Sequence, residues 1–269
     1  ILSLIKPLRP GRKALEVTQD RLLEKDFLVS LGLRVAPYHG LKDAQDLKSY
    51  LGDNSNEYIL KTRRFGYDGK GQIKLPAGQC PDDAMHLADQ TLCILEEKID
   101  FQAEISVLLV RCGQTASISC YALSENHHDQ GILRTTTAPS QWQDMLYDEA
   151  CRQGEIIAKA LDYTGVLAVE FFIDGQNRLI INEMAPRVHN SGHWTMEGCA
   201  VSQFDNHIRA ITGWGLGTTD HHSEAVMTNL IGEDMKSWSH YLNKPHTTLT
   251  CYGKKAMRKG RKMGHVTTI

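Results

Sequence analysis

Two strongly apolar runs, VLAVEFFID (166–174) and RLIINEM (178–184), flank Gly175-Gln176-Asn177, and each carries one glutamate. Apolar, β-rich runs around a turn of this composition predict an antiparallel hairpin. A four-residue loop, 175–178, pairs Asp174 with Leu179, and counting outward sets Glu170 directly opposite Glu183 on one face. With apolar neighbours on both strands, the two carboxylates are partly desolvated and repel each other. A divalent cation resolves that conflict, and magnesium characteristically uses one or two carboxylates together with nucleotide phosphates. Asn182, beside Glu183, adds a polar group at the same strand end. Taken alone, an edge hairpin with both glutamates in water fits the pattern equally well.

The rest of the chain mixes helices and strands without a strict βαβ alternation, which predicts an α+β fold. Thr18 is positioned to cap a helix with Leu22, Leu23, Phe27 and Leu31 on its apolar face, whereas residues 1–17 show no clear helical period. A second helix is expected over 43–51, strands at 58–62 and 73–75, and a helix near 82–92. Strands follow at 93–99, 103–111 and 116–123, and Ser140 and Gln143 fit a capping box opening a helix to about 161. Beyond the hairpin come a loop at 185–194, a helix at 202–213, the run AVMTNLIG and a helix near 233–242. With 269 residues the chain can bury a full core, as a soft prior in about two domains. Lys and Arg total 30 against 32 Asp and Glu, so no global field attracts nucleic acid or an anionic membrane, and any anion site must be built locally. Seven scattered cysteines without a C-x-x-C pair read as reduced thiols packed as small hydrophobes, which suits the cytoplasm. No apolar run approaches the ~18 residues of a membrane span, and no signal peptide is visible.

Three further segments carry chemistry. Lys61 ends a strand just before Gly66-Tyr67-Asp68-Gly69-Lys70-Gly71, where three glycines let backbone N–H groups approach phosphate oxygens and two lysines add charge. The spacing is not that of a P-loop, and a flexible hairpin tip reads the same way. Arg187-Val188-His189-Asn190-Ser191-Gly192-His193 concentrates a cation, two imidazoles, an amide and a hydroxyl directly after the Glu183 strand. His189 and His193 are four apart, as zinc ligands on a helix would be, but Pro186 and Gly192 favour a loop and no Glu follows His189, so an anion-handling loop is the better reading. Lys254, Lys255, Arg258, Lys259, Arg261 and Lys262 crowd into nine positions. The run lacks the interleaved aromatics of a nucleic-acid patch and suits a small phosphorylated substrate. His127-His128 and His221-His222 read as loop residues, the first pair within reach of a ligand.

Together, a phosphate lysine, a Gly-rich flap, the acidic strand end Glu96-Glu97-Lys98-Ile99 and the hairpin glutamates resemble an ATP-grasp enzyme. EMAPRVHNSGHW, GYDGKGQ, TQDR and GRKMGH are similar to segments of the 5-(carboxyamino)imidazole ribonucleotide synthetase family, from about Arg9 to His265. The resemblance implies an ATP-grasp fold of two lobes sandwiching ATP, with a partial β-rich C-terminal subdomain. The expected boundaries are 1–17 as a linker from an N-terminal domain ahead of the chain, 18–92 as the small lobe and flap, 93–220 as the large lobe, and 221–269 as the C-terminal subdomain. It implies carboxylation of aminoimidazole ribonucleotide with ATP, magnesium and bicarbonate through carboxyphosphate, in purine biosynthesis. It also implies a homodimer, and fusion to or cooperation with the mutase that acts next.

By the same resemblance, Arg21 and Lys61 contact ATP phosphates under a flap of Gly66, Tyr67, Gly69, Lys70, Gly71 and Gln72. Glu96, Glu97, Lys98 and Ile99 hold the adenine, Glu104 and His128 lie at the ribose, and Asn182 adds to the nucleotide site. Glu170 and Glu183 bind magnesium. Arg187, His189, Asn190 and Ser191 handle bicarbonate, carboxyphosphate and the acceptor, Lys254 and Arg261 hold the acceptor's phosphate, and Tyr67 and Asp68 face the aminoimidazole, Asp68 as proton acceptor. In the tail, Ala256, Met257 and Lys259 replace the family's Glu, Ala and Pro, and Gly215 replaces a Pro after the 202–213 helix; Lys259 loosens the turn that carries Arg261. Other ATP-grasp ligases, of the formate-dependent formyltransferase or biotin carboxylase type, and a non-catalytic nucleotide-binding fragment are the alternatives.

Overall fold

The computed structural model describes residues 8–52, 54–66 and 70–269. Two short helices come first, α1 (Arg12–Thr18) and α2 (Arg21–Ser30). The first helix corrects the sequence reading of residues 1–17: Ala14 is buried against the core, and Thr18 closes this helix through a hydroxyl bond to the Ala14 carbonyl (2.9 Å) rather than opening the next. The cap of α2 is Asp20, whose carboxylate accepts from Leu22 N. The buried face of α2 is Glu24, Lys25 and Leu28, while Leu23 is exposed.

A small antiparallel sheet follows, made of β1 (Tyr38–Leu41), β2 (Tyr58–Thr62), β3 (Gln72–Leu75) and β4 (Cys93–Glu97) in the order β1-β4-β2-β3. Helices α3 (Ala44–Gly52) and α4 (Asp82–Gln90) cover the face made by Tyr58, Leu60, Leu75, Cys93 and Leu95. Strand alternation then puts Ile59, Lys61, Ile94 and Glu96 on the other face. Because β4 belongs to this sheet, the division between the sheets falls after Glu97 instead of at 92–93.

The large sheet holds β5 (Phe101–Arg111), β6 (Ile118–Cys120), β7 (Ser124–Asp129), β8 (Ile132–Ala138), β9 (Gly165–Asp174), β10 (Leu179–Ala185), β11 (Ala225–Ile231), β12 (Thr247–Cys251) and β13 (Lys262–Thr268). Their order is β10-β9-β5-β7-β8-β11-β13-β12, with β6 on β5. The segment after 221 therefore extends the large sheet. Its pairs run through β8 and β11, Ala225 facing Ala138 and Thr228 facing Thr135. Helix α5 (Gln143–Ala160) packs on the face carrying Ile105, Val107, Leu109, Val169 and Phe171. Gly154 is required at that contact, since a Cβ there would lie 2.3 Å from Leu109 Cδ2. The expected capping box is not formed: Gln143 instead accepts from Leu123 N (2.7 Å), and the helix starts at Gln143.

On the opposite face the same strands change character along their length. Leu108, Val110, Val166 and Ala168 pack with Trp194 and Ala210 beneath the helices α6 (Thr195–Gly198) and α7 (Gln203–Thr212). Further along, this face carries Glu104, Ser106 and Glu170. The site stands where the apolar half of the face gives way to the polar half. Strands β7 and β8 were among those missed by the sequence reading: His127 and His128 lie on β7, paired with β8, and not in a loop. Last in the chain, α8 (Trp238–Leu242) precedes β12.

Candidate active site

The glutamate pair owes its geometry to two irregularities that offset each other. The hairpin loop is one residue shorter than expected: Asn177 adopts a left-handed conformation (φ 59°), and Asp174 N donates to the Arg178 carbonyl at 3.1 Å. Near the turn Leu179 therefore faces Ile173. A bulge between Ile181 and Glu183 adds one residue to β10, and Glu183 faces Glu170. Burial first, then the charge of Glu183, pushes the Glu170 carboxyl up to about 8. Enclosure in the cleft acts on Glu183 in the same sense, but the Arg21 guanidinium, 3.3 Å away, holds it below its ordinary value. At neutral pH the pair thus retains one proton.

Beneath the pair lies a buried chain of hydrogen bonds. Thr136 Oγ1 donates to Asn126 Oδ1 (3.0 Å), Asn126 Nδ2 to Ser106 Oγ (3.1 Å), and Ser106 Oγ to Ser191 Oγ (2.7 Å). Ser191 Oγ in turn meets His189 Nδ1 at 2.9 Å, which lies 3.7 Å from Glu170. Gln203 clamps His189 from behind, accepting from its N–H and donating to its carbonyl, at 2.8 and 2.7 Å. The residues 190–192 form a 3-10 turn in which Gly192 is obligatory: a Cβ would stand 2.0 Å from Leu108 Cδ2 and 2.8 Å from Gln203 Oε1. Burial, with Arg187 second, brings His189 down to about 4, so its imidazole is neutral in the physiological range. Asn190 is held with both amide atoms buried and without a hydrogen-bond partner among the described residues, as an amide awaiting a ligand would be. Across the sheet His128 touches Glu104; burial acts to lower the imidazole and the Glu104 carboxylate outweighs it, leaving it raised.

From the small sheet, Lys61 and Glu96 face the pair. Lys61 Nζ is 3.0 Å from Glu96 Oε2, and Lys25 of α2 reaches the same oxygen at 3.3 Å. Burial acts to raise Glu96, but the two ammonium groups bring it down to about 2. Lys61 is lowered by burial, and its cationic neighbours Lys25 and Arg21 add to this against the opposing pull of Glu96, so an incoming anion such as phosphate would suit it. Lys25 also donates to the Asn182 carbonyl (2.8 Å), and Glu24 accepts from Met184 N (2.7 Å), so α2 spans the two sheets at the bulge. Glu97 is half-buried with Ile99, while Lys98 is exposed and pairs with Glu57.

The tail and the glycine-rich hairpin meet at an open cleft of about 490 Å³ lined by Lys70, Lys254, Arg258, Gly260, Arg261 and Lys262. Arg261 N bonds the Arg258 carbonyl (3.0 Å) around Gly260 (φ 76°), closing a type II turn, and Lys254 donates to the Lys262 carbonyl. Lys262 is close enough to Glu170 and His189 to bias their ionisation, which links this cleft to the carboxylates. Gly66 packs beside Arg21, and Gly71 (φ 69°) accepts from Thr62 N through its carbonyl. Gln72 pairs with Lys61, whereas Tyr67, Asp68 and Gly69 lie outside the described residues. Arg187 is exposed at the rim. Glu24, Lys25, Ser106, Asn126 and Gln203 were not singled out as site residues, and Lys262 was read only as part of the basic run. Ser106 was detectable as the one polar residue inside ISVLLV, and Glu24-Lys25 as charges between Arg21 and Leu28 on one helix face.

An acidic hairpin in the large sheet facing lysines of a smaller one is the layout of an ATP-grasp enzyme, and residues 26–204 match the ATP-grasp domain. Residues 225–269 match the phosphoribosylaminoimidazole carboxylase C-terminal domain. The chain belongs to the N5-carboxyaminoimidazole ribonucleotide synthase family of ATP-grasp ligases. It is 44% identical over 264 residues to the N5-carboxyaminoimidazole ribonucleotide synthase of Brucella melitensis, covering 97% of this chain and 72% of that protein. The Staphylococcus aureus N5-carboxyaminoimidazole synthetase complexed with ADP superposes with a TM-score of 0.93 at 36% identity, covering 100% of this chain and 72% of that one. The Aspergillus clavatus enzyme in complex with ADP and 5-aminoimidazole ribonucleotide does so with 0.89 at 26% identity, covering 97% and 70%.

Proposed function

We infer that the chain carboxylates 5-aminoimidazole ribonucleotide with ATP, giving N5-carboxyaminoimidazole ribonucleotide, ADP and phosphate in purine biosynthesis. Bicarbonate is the carboxyl source. One observation carries this reading: Lys262 belongs both to the basic cleft suited to a phosphorylated acceptor and to the surroundings of the Glu170–Glu183 pair, so acceptor and nucleotide sites share one wall.

The chemistry follows from the parts. A bicarbonate oxygen attacks the γ-phosphorus of ATP and ADP leaves, with Arg21 and Lys61 balancing the charge on the transferring oxygens. Magnesium, when held by Glu170 and Glu183, would supply further charge neutralisation on the phosphate oxygens, and a facing carboxylate pair that keeps a proton for want of positive charge suits it. The acceptor's amine then takes the carboxyl carbon of carboxyphosphate, or the CO2 released from it; phosphate leaves and one amine proton passes to a base, a role assigned to Asp68. Asn190, Ser191 and neutral His189 orient the small anion, with Arg187 at the rim. Lys254 and Arg261 hold the acceptor's phosphate, and the glycine-rich segment between β2 and β3, whose Lys70 lines that cleft, shields the intermediate from water. Glu96 to Ile99 and Asn182 border the adenine, and Glu104 with His128 the ribose.

The product is a labile N-carboxylate, which favours a partner mutase that moves the group on, and the family resemblance favours a homodimer. No helix among the described residues is long and apolar enough to cross a membrane. All seven cysteines are free thiols, as a cytoplasmic enzyme's would be. The test is release of ADP and phosphate that requires both bicarbonate and 5-aminoimidazole ribonucleotide. Release indifferent to either would overturn the reading, and formate or biotin in their place separates the other ATP-grasp ligases.

A further inference from the structure

The bulge that places Glu183 opposite Glu170 interrupts the ladder between β9 and β10, and β10 is the edge strand of its sheet. A bulge leaves backbone groups without strand partners, and in a buried position each needs another. On the outer side of β10, the backbone groups around the bulge are met by α2 and the segment that follows it. Ile181 N donates to the Arg34 carbonyl at 2.8 Å. The carbonyls of Asn182 and Ile181 accept from Lys25 Nζ at 2.8 and 3.5 Å, and Met184 N donates to Glu24 Oε1 at 2.7 Å. Glu24 and Lys25 are 3% and 2% exposed, on a helix whose own fold does not require buried charge at either position. Their side chains bracket Glu183, one bonding the residue before it and the other the residue after it.

Without the bulge, the register set at the turn would carry on, and Asn182 would stand opposite Glu170. A one-residue slip moves a side chain to the other face of the sheet. The identity of the residue facing Glu170 therefore depends on what holds the bulge. We propose that Glu24 and Lys25 are positioning residues for metal binding: through backbone bonds to Met184, Asn182 and Ile181 they hold the bulge that sets Glu183 against Glu170. Lys25 does so while also touching Glu96, so the carboxylate pair and the lysine site of the small sheet are set by one side chain.

The proposal rests on the reading of Glu170 and Glu183 as the magnesium ligands, and the experiment separates the two. Mn2+ binding in the presence of ADP is measured by electron paramagnetic resonance on the wild-type chain and on Glu183→Gln, Glu24→Met, Glu24→Gln and Lys25→Met. Gln keeps an acceptor for Met184 N, whereas Met keeps only the length. The expected result is Mn2+ binding weakened about tenfold in Glu24→Met and Lys25→Met, equal to about 1.4 kcal/mol, with ADP binding in the absence of metal unchanged in Glu24→Met and with Glu24→Gln like wild type in both. Unaltered Mn2+ affinity in both Met variants would overturn the proposal, as would equal losses in Glu24→Gln and Glu24→Met. Failure of both Met variants to fold, with Glu24→Gln folded and binding normally, would assign the pair to the fold alone and also overturn it. Mn2+ binding that survives Glu183→Gln would instead remove the metal assignment on which the proposal rests.

Discussion

Glu170 and Glu183 cannot both be ionised at low energy without a cation between them. Glu170 has an ordinary value of 4.5 and stands at about 8 in the fold. Between these values the folded metal-free chain keeps a proton that the unfolded chain has given up, so this group's contribution to stability falls as pH rises through that window. Metal binding reverses the balance, because the ligands must be deprotonated and the proton leaves. Magnesium with ADP is therefore expected to bind more tightly as pH rises from 6 to 8 and to release close to one proton at pH 7. Calorimetry in two buffers of different ionisation enthalpy reads that proton directly; an apparent enthalpy independent of buffer would contradict it. His193 and His265, brought down by burial to about 3 and 4, act in another range: below their ordinary 6.5 the unfolded chain takes up protons that the folded one refuses, so they favour acid unfolding.

At the scale of elements, the turn at Arg258–Arg261 invites a simple substitution. Lys259 occupies the second position of a type II turn, where proline pre-sets the required φ and removes freedom from the unfolded chain. Lys259→Pro is expected to stabilise by about 0.4–1 kcal/mol, seen as a rise of about 1–3 °C in Tm; a fall would mean that the residue's backbone differs from the turn inferred here. Legibility from sequence also divides at this scale. The hairpin, β2, β5, α5 and α7 were visible because their apolar period is long and unbroken. The Glu170–Glu183 pairing was anticipated from a loop one residue too long, and the bulge at Asn182 made up the difference, so two local departures cancelled. Strands β7 and β8 were hidden because SENHHD and ILRTTTA expose polar residues to a polar cleft, which erases the apolar signal of a strand. The charged face of α2 was hidden for a related reason: Glu24 and Lys25 are buried against backbone groups of a distant strand, and nothing near them in sequence reports that.

On the scale of the whole molecule, ligands should matter to stability as well as to turnover. Two sheets meet across a gap spanned by α2, with four charged side chains of Lys25, Lys61, Glu96 and Glu183 gathered there. A nucleotide that binds only the folded arrangement adds about 2.7 kcal/mol at a concentration 100 times its Kd, and Mg-ATP at that level is expected to raise Tm by about 5–10 °C. A differential scan with and without magnesium checks it, and Glu183→Gln should lose the magnesium-dependent part of the rise.

The strands after residue 221 continue the sheet that carries the acidic hairpin, through β8, β11 and β13. On the proposed reading, one hydrogen-bonded slab thus bears both the anchor for the acceptor's phosphate and the floor beneath the reacting carboxyl group. Such a slab works as a ruler. On that reading it would measure the span from phosphate to amine in every acceptor that enters, and a ribonucleotide analogue one bond longer or shorter is expected to be anchored with its amine out of reach.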